Sequence, residues 1–258
     1  MEEALRRGFD VIGFSEHAPL PMENGFAIPE EKLEDYKNHI TALKEKYRGR
    51  IEIYISLEMD YIPGVTSDFS LLKESMGLDY VIGSIHLVKN ADTPHLWFID
   101  GPQKDIYDEG VRQAFGGNIR AAVKAYFRQM NEMITTQKPD IIGHMDKVKM
   151  HNKGRYFSTS EKWYMDLLRE SLDVIRENDA IVEINTRGIY KKRSETLFPD
   201  ETVLPEIKKR NIPLTITSDA HRPADLSEHF GETIRILQDA GIREVVCYRE
   251  DKWQARPL

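Results

Sequence analysis

Residues 213–222 read PLTITSDAHR, a short β-branched run ending in a carboxylate and an imidazole just past the strand. The same arrangement recurs upstream. Asp10–Phe14 runs into Ser15-Glu16-His17, Ile51–Leu57 into Glu58, Tyr80–Ser84 into His86, and Ile141–Gly143 into His144. Ile181–Asn185 differs, because it leads to Arg187. Between these runs lie stretches of helical period. Leu33, Tyr36, Ile40, Leu43 and Tyr47 share one face, Asn118 is the expected N-cap of a second helix, and Ser160 of a third. Shorter helices are expected near Leu204–Arg210 and Phe230–Ala240. Alternating strands and amphipathic helices predict an α/β fold with a mainly parallel sheet. In such folds the C-terminal strand ends meet at one rim, where ligands bind.

The chain has 258 residues, 40% hydrophobic and 31% charged, which suits a single soluble domain over 1–258. No run approaches the ~18 apolar residues that span a membrane. MEEALRRGFD carries no apolar signal region, and the one cysteine, Cys247, points to a reducing compartment, so a cytoplasmic location is expected. The net charge of −7 argues against a nucleic-acid partner. An anionic substrate then requires local cations or metal ions to overcome the overall repulsion. Residues 87–117 break the strand–helix pattern, with Pro94, Trp97, Gly101, Pro102, Gly116 and Gly117. They are read as a long insertion covering the site.

Each strand-end residue alone has an ordinary structural explanation. Their coincidence does not. His17, Glu58, His86, His144, Asp219 and His221 at the same end of successive units form an imidazole and carboxylate set suited to Zn, Mn or Fe. His39, His95, His151 and His229 follow no strand and stay outside it. A carboxylate such as Glu58 or Asp219 can bridge adjacent metals, and paired metals clamp the oxygens of an in-line phosphoryl displacement. No glycine-rich nucleotide loop, GxSxG elbow or Cys–His pair offers a competing chemistry. The rim cations are Lys89, Lys147, Lys149, Arg187, Lys191, Lys192, Arg193 and Arg222. Arg187 leads as phosphate ligand because its planar fork matches two oxygens. Arg193 and Arg222 follow, with Lys149 and Lys89 completing the candidate set.

The motifs GFSEHAP, SLEMDYIPG, VIGSIH, IIGHMDKVK, VEINTRG and TSDAHRP, in this order, resemble the polymerase-and-histidinol-phosphatase (PHP) superfamily. The stretch LWFIDGPQ…FGGNIRAAVKAYF resembles its histidinol-phosphatase branch. This resemblance implies a distorted (β/α)7 TIM-like barrel, a centre of up to three divalent metals, and hydrolysis of L-histidinol phosphate in histidine biosynthesis. By motif position it implies His17, Glu58, His86, His144, Asp219 and His221 as ligands. Glu58 would then bridge two metals, Asp219 would orient the attacking water, and His221 would assist proton transfer to the leaving alkoxide, which makes these three the catalytic set.

The family's first strand ends in a His-x-His pair, and no such pair stands in this sequence. Glu2–Arg7 reads as the tail of the helix that follows that strand, ended by Gly8. About twenty to thirty residues are therefore expected upstream, with Met1 a mis-called or truncated start. The barrel is expected to lack its first strand and to show two unpaired edges. Two other readings remain at this stage, a PHP phosphoesterase for another small phosphoester and, from a different class, a catalytically impaired metal-binding form. A (β/α)8 amidohydrolase fits less well, because such chemistry does not call for the rim cations.

Overall fold

Strands and helices alternate along the chain in the computed structural model, which describes residues 1–258. Helix α1 (Glu2–Arg6) precedes β1 (Val11–His17), α2 (Leu33–Lys46) leads to β2 (Glu52–Asp60), and α3 (Phe69–Met76) leads to β3 (Tyr80–Ser84). A hairpin of β4 (Leu87–Lys89) and β5 (Leu96–Phe98) follows, then α4 (Lys104–Phe115), α5 (Ile119–Gln137) and β6 (Ile141–Ile142). After α6 (Lys162–Glu177) come β7 (Ile181–Asn185), α7 (Arg187–Tyr190), α8 (Leu204–Lys209), β8 (Leu214–Thr217) and α9 (Phe230–Asp239). The last hairpin is β9 (Glu244–Arg249) with β10 (Lys252–Pro257). No helix is long and apolar enough to cross a membrane.

All six strands expected from the sequence enter one parallel sheet, ordered β1-β2-β3-β6-β7-β8 and curled into a half-barrel. Its residues sort by the two-residue period of a strand. Ile53, Ile55, Leu57, Val81, Ile142, Val182, Ile184 and Leu214 belong to the large core beneath the helices. Tyr54, Glu58, Tyr80, Ile82, Ile141, Glu183, Thr215 and Thr217 instead line the concave side. At one end of that side Tyr54, Tyr80, Ile82, Ile141 and Ile181 form a second cluster, on which Val246, Tyr248 and Trp253 of the last hairpin pack. The hairpin thus plugs the floor and leaves the other end open. The edges of β1 and β8 have no strand neighbour, and a cavity of about 650 Å³ runs between them.

Two local expectations need correction, and one element went unforeseen. Residues 87–117 are not a structureless loop, because Trp97, Ile99 and Tyr107 are fully buried and tie the β4–β5 hairpin to α4. Trp97 Nε1 donates to Tyr107 O at 3.0 Å, and Tyr107 donates to Val148 O at 3.1 Å. Gly110 makes this fit, since a Cβ there would stand 2.5 Å from Trp97 Cδ1. Ser160 does not cap α6; its hydroxyl pairs with Ser158, and the helix begins after Glu161. Asn118 does cap α5, accepting from Ala121 N. The β9–β10 hairpin was not foreseen, because its turn uses Glu250 and Asp251 at positive φ, where Asn-Gly is the usual signal.

Trp97→Ala is expected to destabilise the protein by about 3–5 kcal/mol through the cavity it opens. Equilibrium denaturation followed by circular dichroism measures it, and a loss under about 1 kcal/mol would contradict the anchoring role of this residue.

Candidate metal centre

Parallel register builds the centre before any side chain is considered, because it sets His17 beside Glu58 at the ends of β1 and β2. The next strand, β3, leads into His86, and β6 into His144. Three imidazoles therefore surround one carboxylate. Glu58 Oε1 lies 3.0 Å from His144 Nε2 and 3.5 Å from His86 Nε2, and Oε2 lies 3.8 Å from His17 Nδ1. One donor atom from each of His17, Glu58 and His86 falls within 4.8 Å of the others.

Burial opposes ionisation of Glu58, but His17, His144 and His86 outweigh it and hold the carboxyl well below the usual range. Burial also lowers His17. His86 responds in the opposite direction. Burial pushes it down, yet the charges of Asp60 and Asp100 and a hydrogen bond donated to Asp60 raise it to about 9. Asp60 grips this residue twice, accepting from His86 N at 2.8 Å and pairing with Nδ1 at 2.9 Å. Carboxylate–imidazole contacts of this kind fix which nitrogen is left for a metal.

The remaining nitrogen, His86 Nε2, is buried without a hydrogen-bond partner, as is His144 Nδ1. An orphaned imidazole nitrogen 3.5 Å from a buried carboxylate oxygen, as His86 Nε2 is from Glu58, fits a divalent metal ion. His144 is held by its backbone, at φ 23°, where its N–H donates to Glu183 Oε2 at 2.6 Å. Glu183 Oε1 in turn accepts from Thr217 Oγ1 at 2.5 Å.

Asp219 and His221 line the same cavity as His17 and Glu58, from the β8 flank. Asp219 Oδ2 accepts from Asn185 Nδ2 at 3.3 Å, and His221 Nδ1 stands 3.4 Å from Asp219 Oδ1. Arg187 Nη1 donates to Asp219 O at 2.6 Å and reaches His221 Nδ1 at 2.9 Å. The compact cluster thus contains four of the six residues proposed from the sequence, and the other two face it across the opening.

The rim cations divide more sharply. Arg187 and Arg193 line a small cavity with Lys147, Asn185 and Asp219. Lys149 does not belong there: it is buried against Asp146 at 2.7 Å, Leu197 O at 2.9 Å and Asp200 at 3.4 Å. Lys89 donates to Pro63 O at 2.8 Å, and Arg222 is exposed. Sequence reasoning passed over Asp60, Asp100 and Glu183. Asp60 and Glu183 lie on strands beside the cluster, so their position was readable; Asp100 reaches it only through the folding of the β4–β5 hairpin. Phe98 from that hairpin stacks on Phe26, which meets the His17 ring edge-on at 5.2 Å. The two rings screen one side of the cluster.

The PHP domain family model matches residues 1–187. This chain belongs to the PHP family. Among its relatives, the histidinol-phosphatase of Bacillus subtilis is 32% identical over 241 residues, 87% of each chain. The probable histidinol-phosphatase of Deinococcus radiodurans is 26% identical, with 98% of this chain and 90% of that one aligned. The fold is shared with a crystal structure of histidinol phosphate phosphatase from Lactococcus lactis, complexed with Zn, L-histidinol and phosphate. That match has a TM-score of 0.67 at 21% identity and covers 98% of this PHP chain and 90% of the other. A Listeria monocytogenes structure of a candidate histidinol phosphatase superposes with a TM-score of 0.77 at 22% identity, covering 90% and 91% of the two chains.

Proposed function

We propose that this PHP-family chain is a metal-dependent phosphomonoesterase that hydrolyses L-histidinol phosphate to L-histidinol and phosphate, in the cytoplasm. The carrying observation is Glu58 inside a ring of three imidazoles, next to a cavity lined by arginines and a lysine. The names of the relatives supply the substrate. His17, Glu58, His86 and His144 hold the metal, with Asp219 and His221 as donors from the β8 flank. Zn is the proposed ion, and Mn and Fe suit the same donors. A divalent metal bound there supplies Lewis acidity and lowers the pKa of a coordinated water.

The protein's own groups do the rest. Asp60 and Glu183 hold His86 and His144 in place, so little reorganisation is needed when substrate arrives. Asp219, fixed through Asn185 and Arg187, orients the attacking water. Arg187 and Arg193 receive phosphoryl oxygens at the cavity wall. Residues 87–117, through Phe98 and Asp100, cover the site and limit access of bulk water.

The test is phosphate release from L-histidinol phosphate and from p-nitrophenyl phosphate, with zinc present and after chelation. Expected is a strong preference for histidinol phosphate, loss with chelator and recovery on adding metal. Equal turnover of both substrates would move the assignment to another small phosphoester. No turnover of either by zinc-loaded protein would make this an impaired metal-binding form.

A further inference from the structure

Helix α5 buries a polar amide, that of Gln129, among the apolar side chains of Val123, Phe127, Met130 and Met133. Gln129 is 3% exposed, so its amide must find partners inside the protein. It finds three. Oε1 accepts from Lys89 N at 2.9 Å, while Nε2 donates to Leu87 O at 2.9 Å and to Tyr61 O at 2.5 Å. A peptide N–H only donates and a carbonyl only accepts, so one orientation of the amide serves all three. Leu87 and Lys89 belong to β4, which pairs with β5 on its other side. The Gln129 amide therefore meets β4 as a residue of a neighbouring strand would, although it comes from a helix.

The positions it fastens are informative. Tyr61 directly follows Asp60, and Leu87 directly follows His86. Asp60 and His86 are the pair joined at two points, through His86 N and Nδ1. Gln129 thus ties the main chain one residue beyond each member of that pair, and sets how far apart the two segments run. The direction of His86 Nε2, the buried nitrogen without a partner, depends on that separation. Glu132, on the next turn of α5, holds the same segment by its side chain, accepting from the Tyr61 hydroxyl at 2.8 Å. That second bond leaves the main chain of Asp60 and His86 untouched. Removing the Gln129 amide would strand three main-chain groups and let both segments move toward other partners.

We propose that Gln129 is a positioning residue for His86, acting through the Asp60 pairing to keep Nε2 aimed at the metal. The proposal rests on the metal-centre reading above and adds to it a residue on a helix, where the strand-end pattern places nothing.

Zinc alone is the probe, competed against a chromophoric chelator on folded protein, with cobalt(II) substituted in parallel because its visible absorption reports ligand geometry. Gln129→Met, close in length but apolar, is expected to weaken zinc binding by about tenfold, the low end of what losing a ligand's own partner costs. Its cobalt spectrum should change as well. Tyr61→Phe is the comparison, because it cuts the Glu132 bond between the same helix and segment but keeps the three amide bonds. Its zinc affinity and cobalt spectrum should match those of the wild type. Joined to Asp60→Asn, Gln129→Met should cost clearly less than the product of the two separate losses, since both act on one ring. If Gln129→Met fails to fold, Gln129→Asn carries the same expectation, because it keeps a polar amide but is one methylene too short to reach all three groups. Unchanged zinc affinity and cobalt spectrum in a folded Gln129 variant would overturn the proposal, leaving the residue a purely structural tie. Equal losses in Tyr61→Phe, or fully multiplicative losses in the double variant, would overturn it too. If the variants behave as expected but the wild-type protein does not hydrolyse histidinol phosphate, the role of Gln129 stands and the substrate assignment falls.

Discussion

Glu58→Gln is expected to reduce bound metal and to lower phosphatase activity by more than about a hundredfold, since loss of even an outer-shell partner costs 10–100-fold. Three imidazoles converge on this carboxylate, and one of its oxygens meets both His86 and His144. Glutamine keeps the shape and a hydrogen-bonding oxygen but removes the negative charge that makes the site attractive to a cation. The metal-free variant should be less stable than the metal-free wild-type by about 3–5 kcal/mol, because removing one partner of a buried ionic set leaves the imidazoles around it uncompensated, so metal content is compared on folded protein. Metal content by atomic absorption, with activity on the same samples, decides the matter. Full metal occupancy and full activity in the variant would remove Glu58 from the centre.

How much of this was legible in the sequence depends on whether a residue reaches the site by strand or by tertiary packing. His17, Glu58, His86 and His144 follow consecutive strands of the same sheet, and parallel register brings such residues together with no further information. Strand β1 even continues through Ser15 and Glu16 to His17, beyond the Phe14 expected from its apolar run. Asp100 is different, because β4 and β5 have three residues each, too few for alternation to show. Nor does sequence separate Lys147 from Lys149. They stand two residues apart on one turn, and only the approach of residues 197–200 to Lys149 gives it partners that Lys147 lacks. Charge identity was readable, whereas the partners of each charge were set by packing between distant segments.

The pH dependence of metal binding follows from His86, and the effect is large. In the metal-free protein its pKa is raised from 6.5 to about 9, against burial, by Asp60 and Asp100. The sign of the stability effect is that of a raised folded-state pKa. The protonated imidazole stabilises the metal-free fold fully below about pH 6.5, and that contribution is lost as pH rises through about 9. A metal must displace the same proton, because only neutral imidazole is a ligand. Apparent zinc affinity should therefore climb by about tenfold per pH unit between 6.5 and 9 and level off above. Asp60→Asn removes the largest raising influence, so the climb should begin and end at lower pH. The same change frees the His86 ring to turn, and the plateau affinity should fall by about ten- to hundredfold. Competition against a chromophoric chelator at a series of pH values measures both effects. Equal zinc affinity at pH 6.5 and 8.5 in the wild-type protein would show that His86 holds no proton in the metal-free state. The pairing with Asp60 would then serve only to fix the ring, and the Asn variant would lower affinity equally at every pH.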